Sequence, residues 1–250
     1  MNAEARDRLP VVFVHGIRVS ATMWQPVMRT VGAHRPVAAP DLPGHGRLRG
    51  EPFTVDAAAA TVADAIDQLG GKALVVGLSL GGYVGMAVAG RHPHRVAGLV
   101  AVGCTAKPSG SFAAIYRLAA GLAGRHPEKA NRLSAWAFRR ALPAPVADAV
   151  VAGGLACEIA PQVVNAVTAM NPPAPLLDYP GPVWLVNAAR DPFRRDERDF
   201  LRACRNGRLT VWPDRNHVTF LADTTILARI VLDAAVVAEA ATPAGLGSCG

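Results

Sequence analysis

The chain has 250 residues, of which 51% are hydrophobic and 18% are charged. This composition is typical of a globular protein and excludes a disordered chain, and the length suits one α/β domain with a sizeable core. The formal net charge of +7 comes from 23 arginines and three lysines against 19 acidic residues. Because the arginines are scattered and lack interleaved aromatic residues, we expect a solvated surface and no nucleic-acid partner.

Cysteine usage and apolar runs indicate the compartment. The four cysteines are far apart in the sequence and show no spacing typical of a metal or redox site: Cys104, Cys157, Cys204 and Cys249. Free thiols in a reducing compartment are therefore expected. The N-terminal apolar run is too short for a signal peptide, and no apolar stretch approaches the length that spans a bilayer. We expect a cytoplasmic protein, monomeric or homodimeric, with no membrane partner.

Short apolar runs alternate with helical patterns along much of the chain. Each run is apolar throughout, as in strands buried on both faces, so the alternation predicts a parallel sheet with helices on both sides. The predicted strands are residues 11–14, 37–40, 74–76, 96–102, 183–188 and 208–212. The predicted helices around them are residues 23–31, 54–69, 80–92, 196–205 and 225–241, and the tail 242–250 is expected to fray.

The alternation breaks between residues 105 and 178, where no strand is predicted. Four helical segments follow one another there: 112–122, 128–142, 146–155 and 161–170. We interpret residues 105–178 as an inserted helical lid and residues 1–104 and 179–250 as the core. The lid carries seven basic and four acidic residues, a net +3. This charge suits a phosphopantetheine- or carboxylate-bearing substrate, but a solvated face explains it equally well.

The stretch Gly77-Leu78-Ser79-Leu80-Gly81 lies between a predicted strand and a predicted helix. A serine hydroxyl is a poor nucleophile unless a tight turn holds it clear of its surroundings, beside a base and an oxyanion site. Such a turn needs small residues on both sides of the serine, and the two flanking glycines supply them. The pentapeptide alone also fits an ordinary glycine-rich turn.

Other motifs occur in a matching order. His15-Gly16 follows the first strand, a turn-rich segment at 41–46 follows the second, Asp191 follows a late strand, and His217 lies in the last long loop. With the Ser79 turn, the chain resembles an α/β-hydrolase of the small, lid-bearing, esterase-like branch, from residue 11 to about residue 241. The sequence begins almost directly at the strand before His15-Gly16, so we expect the two leading strands of the full family sheet to be absent. The resemblance then implies a mostly parallel sheet of about six strands, flanked by helices.

The order Ser79, Asp191, His217 matches the order of the catalytic residues in this fold. His217 is expected to take the serine proton and return it to the leaving group, while Asp191 orients the imidazole. His15 and His45 also lie in loops near the same edge of the sheet, and the resemblance implies structural roles for both.

Other acids compete with Asp191 for its role. Asp196 and Asp199 fall in the next predicted helix, and Asp214 lies too close to His217 in the sequence. Asp41 is interpreted as structural, because its carboxylate can tie its own loop to neighbouring amides.

An oxyanion hole needs two backbone N–H groups. Leu80 begins the helix after the nucleophile, where its amide is free, and the resemblance implies Ile17 as the second donor. Ile17 and Leu80 would also line the substrate pocket. Among the aromatic lid residues, Tyr116 and Trp136 are predicted to bind substrate, although packing of the lid on the core explains such residues equally well.

Together these features predict a serine hydrolase that needs no metal and no cofactor. The expected substrate is a small ester or thioester with an apolar part, with a carrier-bound acyl group also considered. The same triad can cleave a lactone or a carbon–carbon bond, and relatives of this fold include cofactor-free lyases, perhydrolases and small-molecule receptors with vestigial hydrolysis. Epoxide hydrolases and haloalkane dehalogenases of this fold use an aspartate nucleophile, so Ser79 argues against both.

Overall fold

The computed structural model describes residues 3–241. The segment 242–250, for which fraying was predicted, lies outside the described residues, and so does Cys249.

One six-stranded sheet forms the centre of the protein, in the order β2-β1-β3-β4-β5-β6. All five strand pairings are parallel. The strands are β1 (Val11–Val14), β2 (Val37–Ala38), β3 (Ala73–Leu78), β4 (Val96–Val102), β5 (Pro182–Ala188) and β6 (Asn206–Trp212). The predicted parallel sheet of six strands is confirmed.

Helices cover both faces of the sheet. Alternate residues of a strand point to opposite faces, so Val11 and Phe13 pack in one apolar cluster and Val12 and Val14 in the other. The helices of this part are α1 (Ala3–Arg6), α2 (Gln25–Val31), α3 (Val55–Asp67), α4 (Leu80–Arg91), α10 (Glu197–Ala203) and α11 (Thr224–Ala240). Helix α3 begins as predicted, with Thr54 Oγ1 accepting a hydrogen bond from the amide of Ala57.

Five helices lie between β4 and β5, in the segment interpreted as a lid: α5 (Gly110–Arg125), α6 (Pro127–Ala141), α7 (Ala144–Ala152), α8 (Ala160–Ala169) and α9 (Ala174–Asp178). Helix α5 packs on α8, α6 packs on α7, and α5 and α6 both contact the 3₁₀ turn Cys157–Ile159. The division of the chain into a core and a lid domain stays a prediction.

Helix α9 was not predicted, because Pro172, Pro173 and Pro175 suggested an irregular connection. Proline is tolerated in the first turn of a helix, where its missing N–H has no intrahelical acceptor. Pro175 occupies such a position in α9.

No single helix among residues 3–241 is long and apolar enough to span a membrane. Only the pair 144–152 and 157–169 reaches that length together, and it is bent by 64°.

Candidate active site

Ser79 lies on a sharp turn between β3 and α4. Its backbone has φ 54° and ψ −115°, a conformation that L-residues rarely adopt. The turn is held because the amide of Ser79 donates to the carbonyl of Val102 at 2.8 Å. A Cβ at Gly77 would lie 2.2 Å from the Gly81 carbonyl oxygen, and one at Gly81 would lie 2.1 Å from that of Val14. Both glycines are therefore required by close backbone packing.

Two consecutive hydrogen bonds link Ser79 to His217 and His217 to Asp191. His217 Nε2 lies 3.0 Å from Ser79 Oγ, and His217 Nδ1 lies 2.9 Å from Asp191 Oδ2. The Asp191 side chain is fully buried, and its Oδ1 accepts a hydrogen bond from the amide of Phe193 at 2.8 Å. An ionised carboxylate can only accept, so it holds the proton on Nδ1 and leaves Nε2 free to accept the serine proton.

Three parallel strands of the one sheet bring these three residues together. Ser79 follows β3, Asp191 follows β5, and His217 lies in the loop after β6. The carboxyl ends of parallel strands meet at one edge of the sheet, which is why residues far apart in sequence become neighbours. Asn216 fixes the last loop, since its Oδ1 accepts from the amides of Val218 and Thr219.

His15 is engaged elsewhere and cannot serve as the base. Its Nδ1 donates to the carbonyl of Gly16 at 2.8 Å, and its Nε2 accepts from the amide of Leu42 at 2.9 Å. Burial, and then the neighbouring ring of His45 4.9 Å away, lower the pKa of His15 to about 3. His15 is therefore a neutral side chain that ties the loop after β1 to the loop after β2.

The competing acids have partners other than His217. Asp196 Oδ2 accepts from the amide of Lys107 at 2.6 Å, and Asp199 pairs with the Lys107 ammonium. Asp214 pairs with Arg190 at the surface.

Asp41 ties down its loop, as expected from the sequence. Its two carboxylate oxygens accept hydrogen bonds from the backbone amides of Ala21 and Arg47. Burial alone would raise the pKa of Asp41, but these hydrogen bonds and that of the Arg47 side chain hold it below the usual value.

The predicted oxyanion donors flank Ser79. Leu80 is the first residue of α4, so its N–H has no intrahelical acceptor and lies at the positive end of the helix dipole. On the other side, a Cβ at Gly16 would be 3.8 Å from Ser79 Cβ, which brings the Gly16–Ile17 backbone against the nucleophile.

A cavity of about 90 Å³ opens beside Ser79, and nearly all of its wall is apolar. Of the predicted substrate-binding residues, Ile17, Leu80 and Tyr116 line it. Trp136 does not line it and is 64% exposed on the outer side of α6. The sequence argument did not single out several other lining residues: Tyr83, Pro108, Ala113, Val163, Val164, Val167, Thr168 and Phe193.

Phe193 is the most significant of the residues missed. Its ring lies 4.5 Å from that of His217 and 5.0 Å from that of Tyr116. Its ring therefore packs between that of the proposed base and that of Tyr116. The only sequence signal was its position two residues after Asp191, in a loop with no periodicity to interpret.

No group of His, Cys, Asp and Glu side chains within residues 3–241 is arranged to hold a metal ion.

Comparison with known proteins identifies the family. The sequence pattern of the alpha/beta hydrolase family matches residues 11–230. The chain belongs to this family. The fold and the superfamily predicted from the sequence are thereby confirmed.

Two curated relatives match locally. A pimeloyl-(acyl-carrier protein) methyl ester esterase of Neisseria meningitidis is 41% identical over 90 residues, which are 36% of this chain and 34% of that protein. Lipase LipV of Mycobacterium tuberculosis is 39% identical over 92 residues, 36% of this chain and 35% of the lipase. The match thus spans about a third of the length of these relatives.

A solved structure matches over nearly the whole chain. The thermophilic esterase from Thermogutta terrifontis has a TM-score of 0.75 and 23% identity, with 92% of this chain and 90% of the esterase covered. At 23% identity, this structural similarity establishes the shared fold alone.

Proposed function

We propose that the protein is a serine hydrolase that cleaves a carboxylic ester or thioester through an acyl-enzyme on Ser79. The observation that carries this proposal is the placement of His217, with Nε2 3.0 Å from Ser79 Oγ and Nδ1 2.9 Å from Asp191 Oδ2. A buried carboxylate, an imidazole and a serine on a strained turn form the arrangement needed for nucleophilic acyl transfer.

Acylation begins when the Ser79 oxygen attacks the substrate carbonyl carbon. As the new carbon–oxygen bond forms, the hydroxyl proton moves to His217 Nε2 and the carbonyl oxygen becomes an oxyanion. The amides of Leu80 and Ile17 stabilise that charge, and buried Asp191 stabilises the imidazolium. The bond to the leaving oxygen or sulfur then breaks, and His217 donates its proton to the leaving atom.

Deacylation repeats these steps with water. His217 accepts a proton from the water as its oxygen attacks the acyl carbon. Collapse of the second oxyanion intermediate releases the carboxylic acid and returns the proton to Ser79.

The cavity supports an apolar acyl part of modest size. Its wall holds three aromatic side chains that contact one another, Phe112, Tyr116 and Phe193, and the β-branched Val163 and Val167. The curated relatives are named an esterase of a carrier-bound methyl ester and a lipase, which agrees with carboxylic ester cleavage.

Active-site labelling tests the nucleophile. A fluorophosphonate probe should label the wild type and the Ser109→Ala variant, in which an exposed serine is removed, but not the Ser79→Ala variant. Labelling of Ser79→Ala, or none of a folded wild type, would contradict the proposal. Intact-mass detection of an acyl-enzyme distinguishes hydrolysis from a lyase reaction. Turnover faster than ligand dissociation excludes a receptor.

We also propose that the acyl group is presented by an acidic carrier protein. The outward faces of α5 and α6 hold six exposed cations: Arg117, Arg125, Lys129, Arg132, Arg139 and Arg140. Within residues 3–241 none of them has an ion-pair partner, whereas Arg91 and Arg95 of the core are paired with aspartates. Large apolar side chains are exposed among them: Ile115, Leu118, Leu122, Leu133 and Trp136. Cations around an apolar patch suit an acidic protein surface.

The test compares the same acyl thioester on carrier protein and on free pantetheine. Reversing charge in the Arg132→Glu/Arg140→Glu double variant should raise KM for the carrier-bound thioester about tenfold or more at low salt, with no change for the free thioester. The matched control is Arg229→Glu on α11, also exposed. Equal KM values for the double variant and the control on the carrier-bound substrate would overturn carrier docking.

A cytoplasmic location is part of this proposal. Cys104, Cys157 and Cys204 are free thiols, as expected in a reducing compartment, where disulfides are rare. Light scattering distinguishes the two oligomeric states expected from the sequence, monomer and homodimer.

A further inference from the structure

Arg18 has a backbone conformation that is unusual for its side chain. Its φ is 71°, in the left-handed region that favours glycine, and non-glycine residues there cost of order 1 kcal/mol or more. The conformation is locked because the carbonyl of Arg18 accepts a hydrogen bond from the amide of Ala156 at 2.8 Å. Arg18 directly follows Ile17, which lines the cavity. Such strain persists where surrounding structure enforces it, often at ligand sites.

The guanidinium of Arg18 lacks a counter-ion. Its Nη1 donates to Ser134 Oγ on α6 at 3.3 Å, while its Nε is buried without a hydrogen-bond partner. Among the described residues no carboxylate lies within ion-pair distance of it. Arg35 shows the contrast, because its side chain is 4% exposed and bonds to both carboxylate oxygens of Glu239.

Arg18 does not itself line the cavity, but it directly follows Ile17, which does. Tyr116 also lines the cavity. Burial and then the Asp191 carboxylate raise the pKa of the Tyr116 hydroxyl, and the positive charge of Arg18 lowers it. A half-buried cation with unused donors, next in the chain to a cavity-lining residue, is suited to a ligand that is apolar with one anionic end.

We propose that Arg18 forms an anion-binding subsite and that the substrates are esters or thioesters whose acyl chain ends in a carboxylate. This inference rests on the proposed function and narrows its substrate class. The guanidinium fork would bind the terminal carboxylate through two N–H groups, while the methylene chain lies in the apolar cavity and the ester carbonyl lies at Ser79.

The test uses two p-nitrophenyl esters with acyl chains of equal length, the valerate and the glutarate monoester. They differ only in the end of the acyl chain, which is a methyl group in the valerate and a carboxylate in the glutarate. The ratio of their kcat/KM values therefore measures recognition of the carboxylate. Arg18→Gly suits the φ of 71° and should lower the glutarate-to-valerate ratio about 10- to 100-fold, the usual worth of a charged hydrogen bond. Arg18→Lys keeps the charge without the fork and should lower it by less.

The control is Arg29→Ala, which removes one positive charge from an exposed position on α2 and should keep the wild-type ratio. An unchanged ratio in Arg18→Gly would overturn the subsite. If the wild type hydrolyses neither ester, the hydrolase proposal fails by itself. Calorimetric binding of free glutarate then still decides the subsite, which is supported if Arg18→Gly abolishes binding and refuted if the affinities are equal.

Discussion

Gly103 is the position where one added carbon atom should damage the proposed triad most directly. It follows β4 with φ 60°, and a Cβ there would lie 2.9 Å from Asp191 Oδ2 and 3.2 Å from His217 Nδ1. These two atoms form the hydrogen bond that orients the base. Because Asp191 is fully buried, it cannot move into solvent to make room, so the Gly103→Ala variant must displace the acid, the base or both.

The size of the effect follows from that geometry. Misplacing a catalytic group by about 1 Å costs roughly 10²-fold in rate, which corresponds to ~2.7 kcal/mol of activation free energy. We expect kcat of Gly103→Ala to fall about 10- to 100-fold on p-nitrophenyl butyrate. The left-handed φ should also cost about 1 kcal/mol of folding stability.

Gly110→Ala is the matched control, since Gly110 also has φ 60° but its Cβ would meet no atom within 4 Å. Both variants should lose thermal stability through the left-handed φ, Gly103→Ala more so because of its clash with buried Asp191. Only Gly103→Ala should lose the larger part of its turnover. If the two variants have the same kcat, the argument that Gly103 makes room for the acid and base is wrong.

Three further predictions concern the acid, a buried histidine and the core. Asp191→Asn should lower kcat about 10³- to 10⁴-fold because an amide favours the wrong tautomer of the base; Asp214→Asn is the control, and near-wild-type turnover by Asp191→Asn would exclude it as the acid. Folding lowers the pKa of His15 from 6.5 to about 3, so between these two pH values His15 binds a proton in the unfolded state and not in the folded state. Stability should therefore rise with pH across that window, by up to ~1.4 kcal/mol per unit, and urea unfolding of His15→Asn should show a correspondingly smaller slope; equal slopes would contradict this. Phe13→Ala should cost about 3–5 kcal/mol in the same assay, because Phe13 is fully buried with its ring 5.1 Å from Trp24; a loss under ~1 kcal/mol would show that the site repacks.

The strands, most helices and the three proposed catalytic residues could be predicted from the sequence because their signals are local. A short run that is apolar throughout indicates a strand buried on both faces, as β1, β3 and β4 are. The two glycines around Ser79 indicate a turn in which backbones approach closely. Asp191 and His217 were predicted because each follows a predicted strand and because the order Ser79, Asp191, His217 matches the order of the catalytic residues in the fold that the chain resembles.

The cavity beside Ser79 could not be predicted in the same way. Its wall combines Ile17, Tyr83, Tyr116, Val163 and Phe193, which come from five separate segments. Periodicity shows which residues of one helix share a face, but not which face turns inward when helices pack together. Contacts between loops that are distant in sequence also place Gly103 against the side chains of Asp191 and His217.

Helix α6 shows this division most clearly. The sequence by itself predicted a helix over residues 128–142, with Trp136 as a substrate-binding residue. In a helix, Ser134 and Phe138 share one face and Trp136 lies on another. Packing of α6 on α5, on α7 and on the 3₁₀ turn Cys157–Ile159 leaves Ser134 and Phe138 buried and Trp136 exposed. The direction in which the helix faces depends on the total apolar area buried with its neighbours, a property of the assembled structure and not of any local stretch.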